Sequence, residues 1–174
     1  MEAALSTAAP RSLPPGAFIG IVADTHGLLR PEARAALDGA ALVLHCGDVG
    51  APAVLEGLAA QAPLVAVRGN VDRGAWAQAL PAAAQLWLDL PVGLVELHIH
   101  HVVPADPPPP QGSGPALLLA GHSHQWRDAP RGPWRHINPG SAGPRRFRLP
   151  VTLGRLWVDD LRLERVELLG PPGA

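Results

Sequence analysis

Five short clusters of carboxylate, amide and imidazole side chains recur along this chain of 174 residues. Carboxylate and amide oxygens, together with imidazole nitrogens, are ligands for hard and borderline divalent metals. In chain order the clusters are Asp24–His26, His45–Asp48, Arg68–Asp72, His98–His101 and Gly121–His124. They predict a metal site, provided that the fold brings them to one place.

Each cluster lies at or just after the end of a short apolar run that is typical of a buried strand. Helices are predicted at Pro31–Leu37 and Pro52–Ala60, each with proline in its first turn. Strands that alternate with helices favour a parallel sheet, and ligands bind outside the carboxyl ends of such strands. The five clusters are therefore predicted to converge. The strands that precede them are predicted at Ala17–Ala23, Ala41–His45, Leu64–Val67, Gly93–His100 and Ala116–Ala120.

The second half of the chain is richer in strands. Within Gly93–His100, polar residues alternate with apolar ones, so His98 and His100 are predicted to share one face of the strand. Pro104–Pro115 can be neither helix nor central strand and is predicted to be an exposed loop. Two packed sheets with helices outside account for this pattern. Further strands are predicted at Gln85–Leu90, Trp134–Ile137, Val151–Val158 and Leu161–Leu169.

Composition excludes several classes of protein. With 47% hydrophobic and 17% charged residues, the chain can bury a core and is not wholly disordered. A net charge of −1 argues against a stable nucleic-acid partner. The absence of lysine excludes Schiff-base chemistry, and the single Cys46, expected to be a buried filler, excludes an internal disulfide. No apolar run could cross a membrane, so we expect a soluble, cytoplasmic protein. Residues 1–16 are predicted to be a disordered leader and residues 17–170 a single domain.

Each cluster taken alone has an ordinary structural explanation. An Asp-x-His pair is often a turn with a capping aspartate, and Gly69-Asn70 is a common turn former. Taken alone, the histidines of His98–His101 are explained more simply as the polar face of an edge strand. The order of the whole set, with each cluster at a strand end, is far more specific and favours a dinuclear metal site.

This ordered set, DTH, GD, GN, H and GHSH, resembles the calcineurin-like metallophosphoesterase superfamily. The chain is most similar to its small single-domain phosphodiesterases of the YfcE type. The strings DTHG, HCGD, VRGNVD and NPGS extend the resemblance over Phe18 to Leu168. It implies a four-layer αββα sandwich, with two mixed β-sheets flanked by helices and metals between the ends of the sheets.

The resemblance also implies a role for each matching residue. Asp48 would bridge two divalent ions, and His98 is assigned because LHIHHVVP resembles the family's hydrophobic-His-Gly-His segment, whose first histidine is the ligand. His100 matches the second histidine, and Asn70, His98 and His100 are the predicted catalytic residues. His45, Arg68 and Asp72 would support the ligands, although Arg68 is equally compatible with a structural role. The full predicted ligand set is Asp24, His26 and His124 for the first ion, Asp48 as bridge, and Asn70, His98 and His122 for the second.

The expected activity is that of a metal-dependent phosphodiesterase acting on small phosphodiesters. Two metals lower the pKa of a bridging water, and the resulting hydroxide attacks phosphorus in line. Manganese is the expected metal, with zinc, iron and nickel as alternatives. The alternative function is a catalytically weak or inactive scaffold that binds proteins, as in the retromer's phosphoesterase-like subunit, which shares the fold. A homo-oligomer is left open.

Three departures from the family pattern bear on the activity. Ile99 replaces the glycine between the two histidines, and Pro104–Pro115 replaces a helix and remodels one wall of the site. Val71 stands where many members have a histidine that protonates the leaving group, although the YfcE-type branch lacks it too. The exposed tryptophan candidates Trp126 and Trp134 leave room for the scaffold function, and Asn138 and Ser141 are expected to form a turn near the site.

Overall fold

Two β-sheets form the body of the protein in the computed structural model, which describes residues 9–146 and 148–170. One sheet has six strands in the order β1-β5-β6-β7-β9-β8, and the other has five in the order β11-β10-β2-β3-β4. The strands in chain order are Arg11–Ser12 (β1), Phe18–Val22 (β2), Leu42–His45 (β3), Leu64–Ala66 (β4), Ala83–Leu90 (β5), Gly93–His100 (β6), Ala116–Leu119 (β7), Trp126–Arg131 (β8), Trp134–Pro139 (β9), Val151–Trp157 (β10) and Leu163–Leu169 (β11).

The first half of the chain builds the parallel part of the five-stranded sheet, as its alternating pattern predicts. Strands β2, β3 and β4 are parallel neighbours, connected by two helices, Pro31–Ala36 (α1) and Pro52–Ala59 (α2). Proline lies in the first turn of both helices, where its missing N–H costs no helical hydrogen bond. Both helices pack their apolar faces on the outer side of this sheet.

The main core lies between the two sheets. Alternate residues of β6, namely Val95, Leu97 and Ile99, are fully buried there against Ile19 and Ile21 of β2. The opposite set on β6, including Glu96 and His98, therefore lies on the outer face of the six-stranded sheet. This division of β6 decides which of its histidines can reach the strand-end loops.

The outer face of the six-stranded sheet is partly covered by the proline-rich segment 104–115. The indole N–H of Trp134 donates to the carbonyl of Pro108 at 3.1 Å, and the ring packs with Ala116 and Leu118. Trp134 is only 2% exposed and Trp126 is half-buried, so the prediction of exposed tryptophans is wrong for Trp134. The predicted fold class, an α/β sandwich of two mixed sheets, is confirmed.

Three described elements were absent from the expected set, namely a short helix Ala75–Gln78 (α3), the edge strand β8 and the two-residue strand β1. Strand β8 contains Pro130 and three charged residues, a composition tolerated at a sheet edge but uncharacteristic of a strand. Arg11–Ser12 pair with Leu88–Asp89, which corrects the predicted disordered leader at these residues, whereas residues 1–8 lie outside the described part. Among the helices of the described ranges, none is long and apolar enough to cross a membrane.

Candidate metal centre

The predicted ligands lie in strand-end loops whose backbone is held in an uncommon conformation. Six non-glycine residues of the described ranges have positive φ angles; one is Leu161 and the other five are Asp24, His26, Asp48, His122 and His124. Such a backbone costs about 1–3 kcal/mol per residue and persists where the surroundings impose it, often at functional sites. Five of the six residues with this strained backbone are therefore predicted metal ligands.

The first group of converging side chains is Asp24, His26 and His124, whose candidate ligand atoms all lie within 4.8 Å of one another. The Nε2 atoms of His26 and His124 are 3.4 Å apart, and His124 Nε2 is 3.4 Å from Asp24 Oδ1. The structure thus brings together the three residues predicted for the first ion. The backbone N–H of His122 donates to the Asp24 carboxylate, which ties the last cluster to the first.

The second group is Asp24, Asp48 and His101. His101 Nε2 is 3.3 Å from Asp48 Oδ1 and 2.9 Å from the amide oxygen of Asn70, which is 3.1 Å from His122 Nδ1. The other oxygen of Asp48, Oδ2, is 3.9 Å from His26 Nε2. Asp48 therefore directs one carboxylate oxygen at each group, the position expected of a bridge, and Asp24 also belongs to both.

The hydrogen bonding of His101 indicates that a cation fits beside it. Its Nδ1 is 2.9 Å from the carbonyl of Cys46, which can only accept, so this nitrogen carries a proton. In the neutral ring, Nε2 is then unprotonated, yet it points at the acceptor oxygens of Asn70 and Asp48. Either a second proton on the ring or a divalent metal among the three atoms resolves this conflict, and oxygen and imidazole donors suit such an ion.

The pKa shifts follow from the same crowding. Burial is the largest influence on both Asp48 and His101 and opposes charge on each. Hydrogen bonds from His101 and the Val71 N–H, with nearby charges, together outweigh burial and lower the pKa of Asp48. Hydrogen bonds to Asp48 and the Cys46 carbonyl, with nearby carboxylate charges, together outweigh burial and raise the pKa of His101. Burial, followed by the charge of Arg146, lowers the pKa of His26. His26 is thereby held neutral, the form in which imidazole binds metals.

His98, predicted as a ligand and catalytic residue, belongs to neither group. Its Nε2 is 2.8 Å from Glu96 Oε1, and its ring lies 4.5 Å from the Trp134 ring on the outer face of the six-stranded sheet. This is a correction, and its cause is the two-residue period of β6. His101 follows the core-facing set of Val95, Leu97 and Ile99, and that alternation was the signal in the sequence that could have identified it.

Replacing His98 by His101 as the candidate ligand also changes the interpretation of His100 and Ile99. His100, predicted to be catalytic, lies on the side of His98, with ring centroids 6.4 Å apart, and is likewise absent from both ligand groups of the described residues. If His101 is the first histidine of the family segment, Val102 and Val103 stand at its Gly-His positions. Ile99 is then a core residue rather than a departure within the site.

Asp72 and His45, for which a supporting role is predicted, form hydrogen bonds to the loops that carry the predicted ligands. The carboxylate of Asp72 accepts backbone N–H groups from Val49, Gly50 and Gly69, at 2.7 to 3.1 Å. Because a side chain at Gly69 would overlap the backbone and carboxylate of Asp48, the two loops can approach only with glycine there.

His45 is fully buried and bonds to Thr25, which lies between two predicted ligands. The Thr25 hydroxyl donates to the carbonyl of Val49, so it accepts from His45 Nε2, at 2.9 Å. His45 Nδ1 accepts the N–H of Gly47. The bond from Gly47 needs a neutral ring with Nδ1 unprotonated, and burial lowers the pKa of His45 to about 4.

The remaining polar residues near the site are structural. Ser141 donates to the carbonyl of Asp24, and Asn138 donates to the carbonyl of Gly121, so the NPGS turn supports two of the loops. Cys46 is fully buried, and burial raises the pKa of its thiol, consistent with a packing role. Within the described ranges, the side chain of Arg68 makes no hydrogen bond to any of the predicted metal ligands.

Comparison with known families matches most of the chain. The sequence model of the calcineurin-like phosphoesterase superfamily domain matches residues 18–161. No curated protein matches the chain.

Several solved structures share the fold. YfcE, a phosphoesterase from E. coli, is 24% identical with a TM-score of 0.62, and the match covers 87% of this chain and 99% of that one. An archaeal phosphodiesterase is 21% identical with a TM-score of 0.65, over 86% of this chain and 99% of that one. Vps29 from Entamoeba histolytica, in complex with Zn²⁺, is 16% identical with a TM-score of 0.58, over 87% and 99% of the two chains.

Proposed function

This chain belongs to the calcineurin-like phosphoesterase superfamily, and we propose that it is a metal-dependent phosphodiesterase that acts on small phosphodiesters at the strand-end cluster. The strand-end cluster comprises Asp24, His26, Asp48, Asn70, His101, His122 and His124. The observation that carries the proposal is the placement of Asp48, whose two oxygens face His26 on one side and His101 on the other.

The residues fit two divalent ions that share the Asp48 carboxylate. Asp24, His26 and His124 would hold the first ion, and Asn70, His101 and His122 the second. When bound, such a pair supplies an activated water and neutralises the charge on the phosphoryl oxygens. The two-ion assignment differs from the sequence-based one only in replacing His98 with His101.

The chain's own contribution is to fix these donors before substrate arrives. The N–H of Val71 donates to Asp48 Oδ1 at 3.0 Å, and the N–H of His122 donates to Asp24. These bonds hold both carboxylates in place, and a fixed set of charges avoids reorganisation during the reaction.

One side of the cluster is open to solvent. Asn70, His122 and Val71 are exposed, whereas Asp24, Asp48 and His101 are buried. A phosphodiester can therefore approach the second ion position from the side of Asn70 and His122. A hydrophobic rim of Val71 and Val102, which are 40% and 53% exposed, borders this opening.

The scaffold alternative makes a different prediction about the ligands. A protein that had lost catalysis would be free to lose carboxylates or histidines that strain its backbone, yet the strand-end cluster is complete. Its mixture of carboxylate, amide and imidazole donors supports manganese as the metal we propose, with zinc, iron and nickel as the other candidates.

Hydrolysis of bis-p-nitrophenyl phosphate tests the proposal. Protein stripped with a chelator should be inactive, and added Mn²⁺ should restore turnover. Asp48→Asn, prepared and reconstituted in the same way, is the matched control for contaminating phosphatases. Failure of the correctly folded parent to release p-nitrophenolate with Mn²⁺, Zn²⁺, Fe²⁺ or Ni²⁺ would overturn the assignment.

A further inference from the structure

A cavity of about 390 Å³ lies beside the strand-end cluster, on the outer side of the six-stranded sheet. Its wall includes His122 and Ser123 from the loop after β7, and Val102 and Val103 from the segment after β6. Since His122 belongs both to the strand-end cluster and to the cavity wall, the cavity adjoins the cluster.

The cavity wall is positively charged. Arg127 and Arg131 of the edge strand β8 line it, and the wall contains no aspartate or glutamate. One amino group of the Arg131 guanidinium donates to the carbonyls of Pro104 and Ala105, which anchors this arginine without neutralising it. Neither arginine forms an ion pair within residues 9–146 and 148–170, so their charge is uncompensated.

A buried histidine, His136, also lines the cavity, close enough to Arg127 and Arg131 for their charges to affect it. His136 is 6% exposed, and neither of its ring nitrogens has a hydrogen-bond partner in the described part of the chain. Burial first, and then the charges of Arg127 and Arg131, lower the pKa of His136. The ring is therefore neutral, and an anion between the two arginines would relieve the positive potential around it.

A free hydroxyl donor completes the polar part of the wall. Ser123 Oγ accepts from the side chain of Asn138 at 3.1 Å and from the N–H of Gln125 at 3.3 Å. Both of its acceptor positions are used, so its own proton is available to a ligand. The cavity thus offers guanidinium and hydroxyl donors, a combination that recognises carboxylate or phosphate groups.

We propose that this cavity binds an anionic group carried by one arm of the substrate, so that the preferred substrates are phosphodiesters of a hydroxy acid or of a phosphorylated alcohol. The inference rests on the proposed function, because it places phosphorus at the strand-end cluster. Arg127 and Arg131 are the specificity-determining residues, and the anion, whether carboxylate or phosphate, lies between them.

Three aryl diesters that differ in one arm test the preference. The p-nitrophenyl esters of 2-carboxyethyl, propyl and choline phosphate present an anionic, a neutral and a cationic arm with the same leaving group. Hydrolysis cleaves the P–O bond to p-nitrophenol in every case. The kcat/KM should be about tenfold higher for the carboxyethyl than for the propyl ester, equivalent to about 1.4 kcal/mol, and lowest for the choline ester. Equal values for the three esters would overturn the proposal. The 2-phosphoethyl ester distinguishes phosphate from carboxylate as the preferred anion.

Charge removal at the cavity identifies the residues responsible. Arg127→Gln should reduce the preference for the carboxyethyl over the propyl ester to about twofold or less. This side chain is exposed and makes no hydrogen bond among the described residues, so the variant should fold. Arg34→Gln, on the exposed side of α1, removes an equal charge away from the cavity and should keep the full preference. The same loss in both variants would show a general charge effect and contradict the assignment.

Binding without turnover separates this inference from the proposed function. In calorimetry on Mn²⁺-loaded protein, 3-phosphonopropionate should bind about tenfold more tightly than propylphosphonate, and Arg127→Gln should abolish the difference. If no diester is hydrolysed but this difference is present, the proposed function fails and the anion site remains. If diesters are hydrolysed but the two phosphonates bind equally, the anion site alone is wrong.

Discussion

Two regions of this molecule contain acidic and histidine side chains in close contact, and they differ in how completely those groups are paired. The first is the strand-end cluster. The second, the outer-face cluster, comprises Gln85, Glu96, His98 and Trp134 on the six-stranded sheet beneath the proline-rich segment. Both contain buried carboxylates, and both contain a buried histidine from the string LHIHH.

The outer-face cluster is fully paired. One oxygen of Glu96 accepts from Gln85 and His98 at 3.0 and 2.8 Å, and the other accepts the N–H groups of Gln111 and Gly112. Every acceptor position of this buried carboxylate is used by the protein. Glu96 therefore fastens the proline-rich segment to the sheet, a structural function.

The strand-end cluster, by contrast, places ring nitrogens against acceptor oxygens and against each other. His101 Nε2 faces two oxygens, and the Nε2 atoms of His26 and His124 face each other. Groups so arranged are stable only when a proton or a metal ion lies between them. The difference shows that residue type alone does not mark a binding site; unsatisfied pairing does.

The largest expected effect is the loss of activity on neutralising Asp48. Asp48→Asn leaves two cation positions without their shared negative charge, so turnover of bis-p-nitrophenyl phosphate should fall by at least about 100-fold. Circular dichroism should show an intact fold. A variant with two bound ions and parental turnover would place the bridge elsewhere.

The outer-face cluster should respond in the opposite way, in stability rather than chemistry. Glu96→Ala leaves four donors without their acceptor, and the free energy of unfolding should fall by about 3–5 kcal/mol, measured by urea denaturation. Glu56→Ala, which removes an exposed carboxylate, is the control and should change stability by less than about 0.5 kcal/mol. An unchanged midpoint for Glu96→Ala would show that the segment is held by other contacts.

A third comparison measures folding stability as the pH is lowered, because His45 supports the strand-end loops only while its ring is neutral. Its pKa falls from 6.5 to about 4 on folding, so the unfolded chain binds more protons between these values. Stability should therefore be complete above pH 6.5 and should fall by up to about 3 kcal/mol as pH approaches 4. His45→Asn should flatten this slope in pH-dependent urea denaturation. An equally steep slope in the variant would exclude His45 as the source.

The smallest expected effect concerns the leaving group. Val71 cannot donate a proton, so parental rates should depend steeply on leaving-group pKa and alkyl diesters should react poorly. Val71 is 40% exposed, so Val71→His can be accommodated and should raise alkyl rates by about tenfold, within the range of general acid catalysis. The measurement is the slope of log rate against leaving-group pKa in both proteins. A shallow parental slope would reveal another acid in the site.

The sequence was sufficient to predict most of the fold and most of the residues that the structure brings together in the strand-end cluster. The apolar runs and proline-initiated helices of the first half predict β2 to β4 with α1 and α2, because parallel strands buried on both faces leave a strong pattern. Strand β8 escaped prediction because a proline- and charge-containing edge strand has no such pattern. The buried position of Trp134 depends on the proline-rich segment that covers it, a contact between distant parts of the chain.

Within the site, the ligands in tight loops were easier to predict than the one in a strand context. Asp24, His26 and Asp48 follow strands directly, whereas three histidines compete within His98–His101. Motif resemblance selected His98, while the face of β6 selects His101. The alternation along β6 supports His101, since a shift of one residue moves a side chain to the other side of the sheet.

The most direct test of the account is the number of metal ions retained by His101→Ala and His98→Ala after reconstitution with Mn²⁺ and gel filtration. Elemental analysis of the parent should give two ions per chain. We predict that His101→Ala retains one ion or none, while His98→Ala, if folded, retains both. Retention of both ions by His101→Ala, with loss of an ion from His98→Ala, would contradict the proposed centre and restore His98 as the ligand.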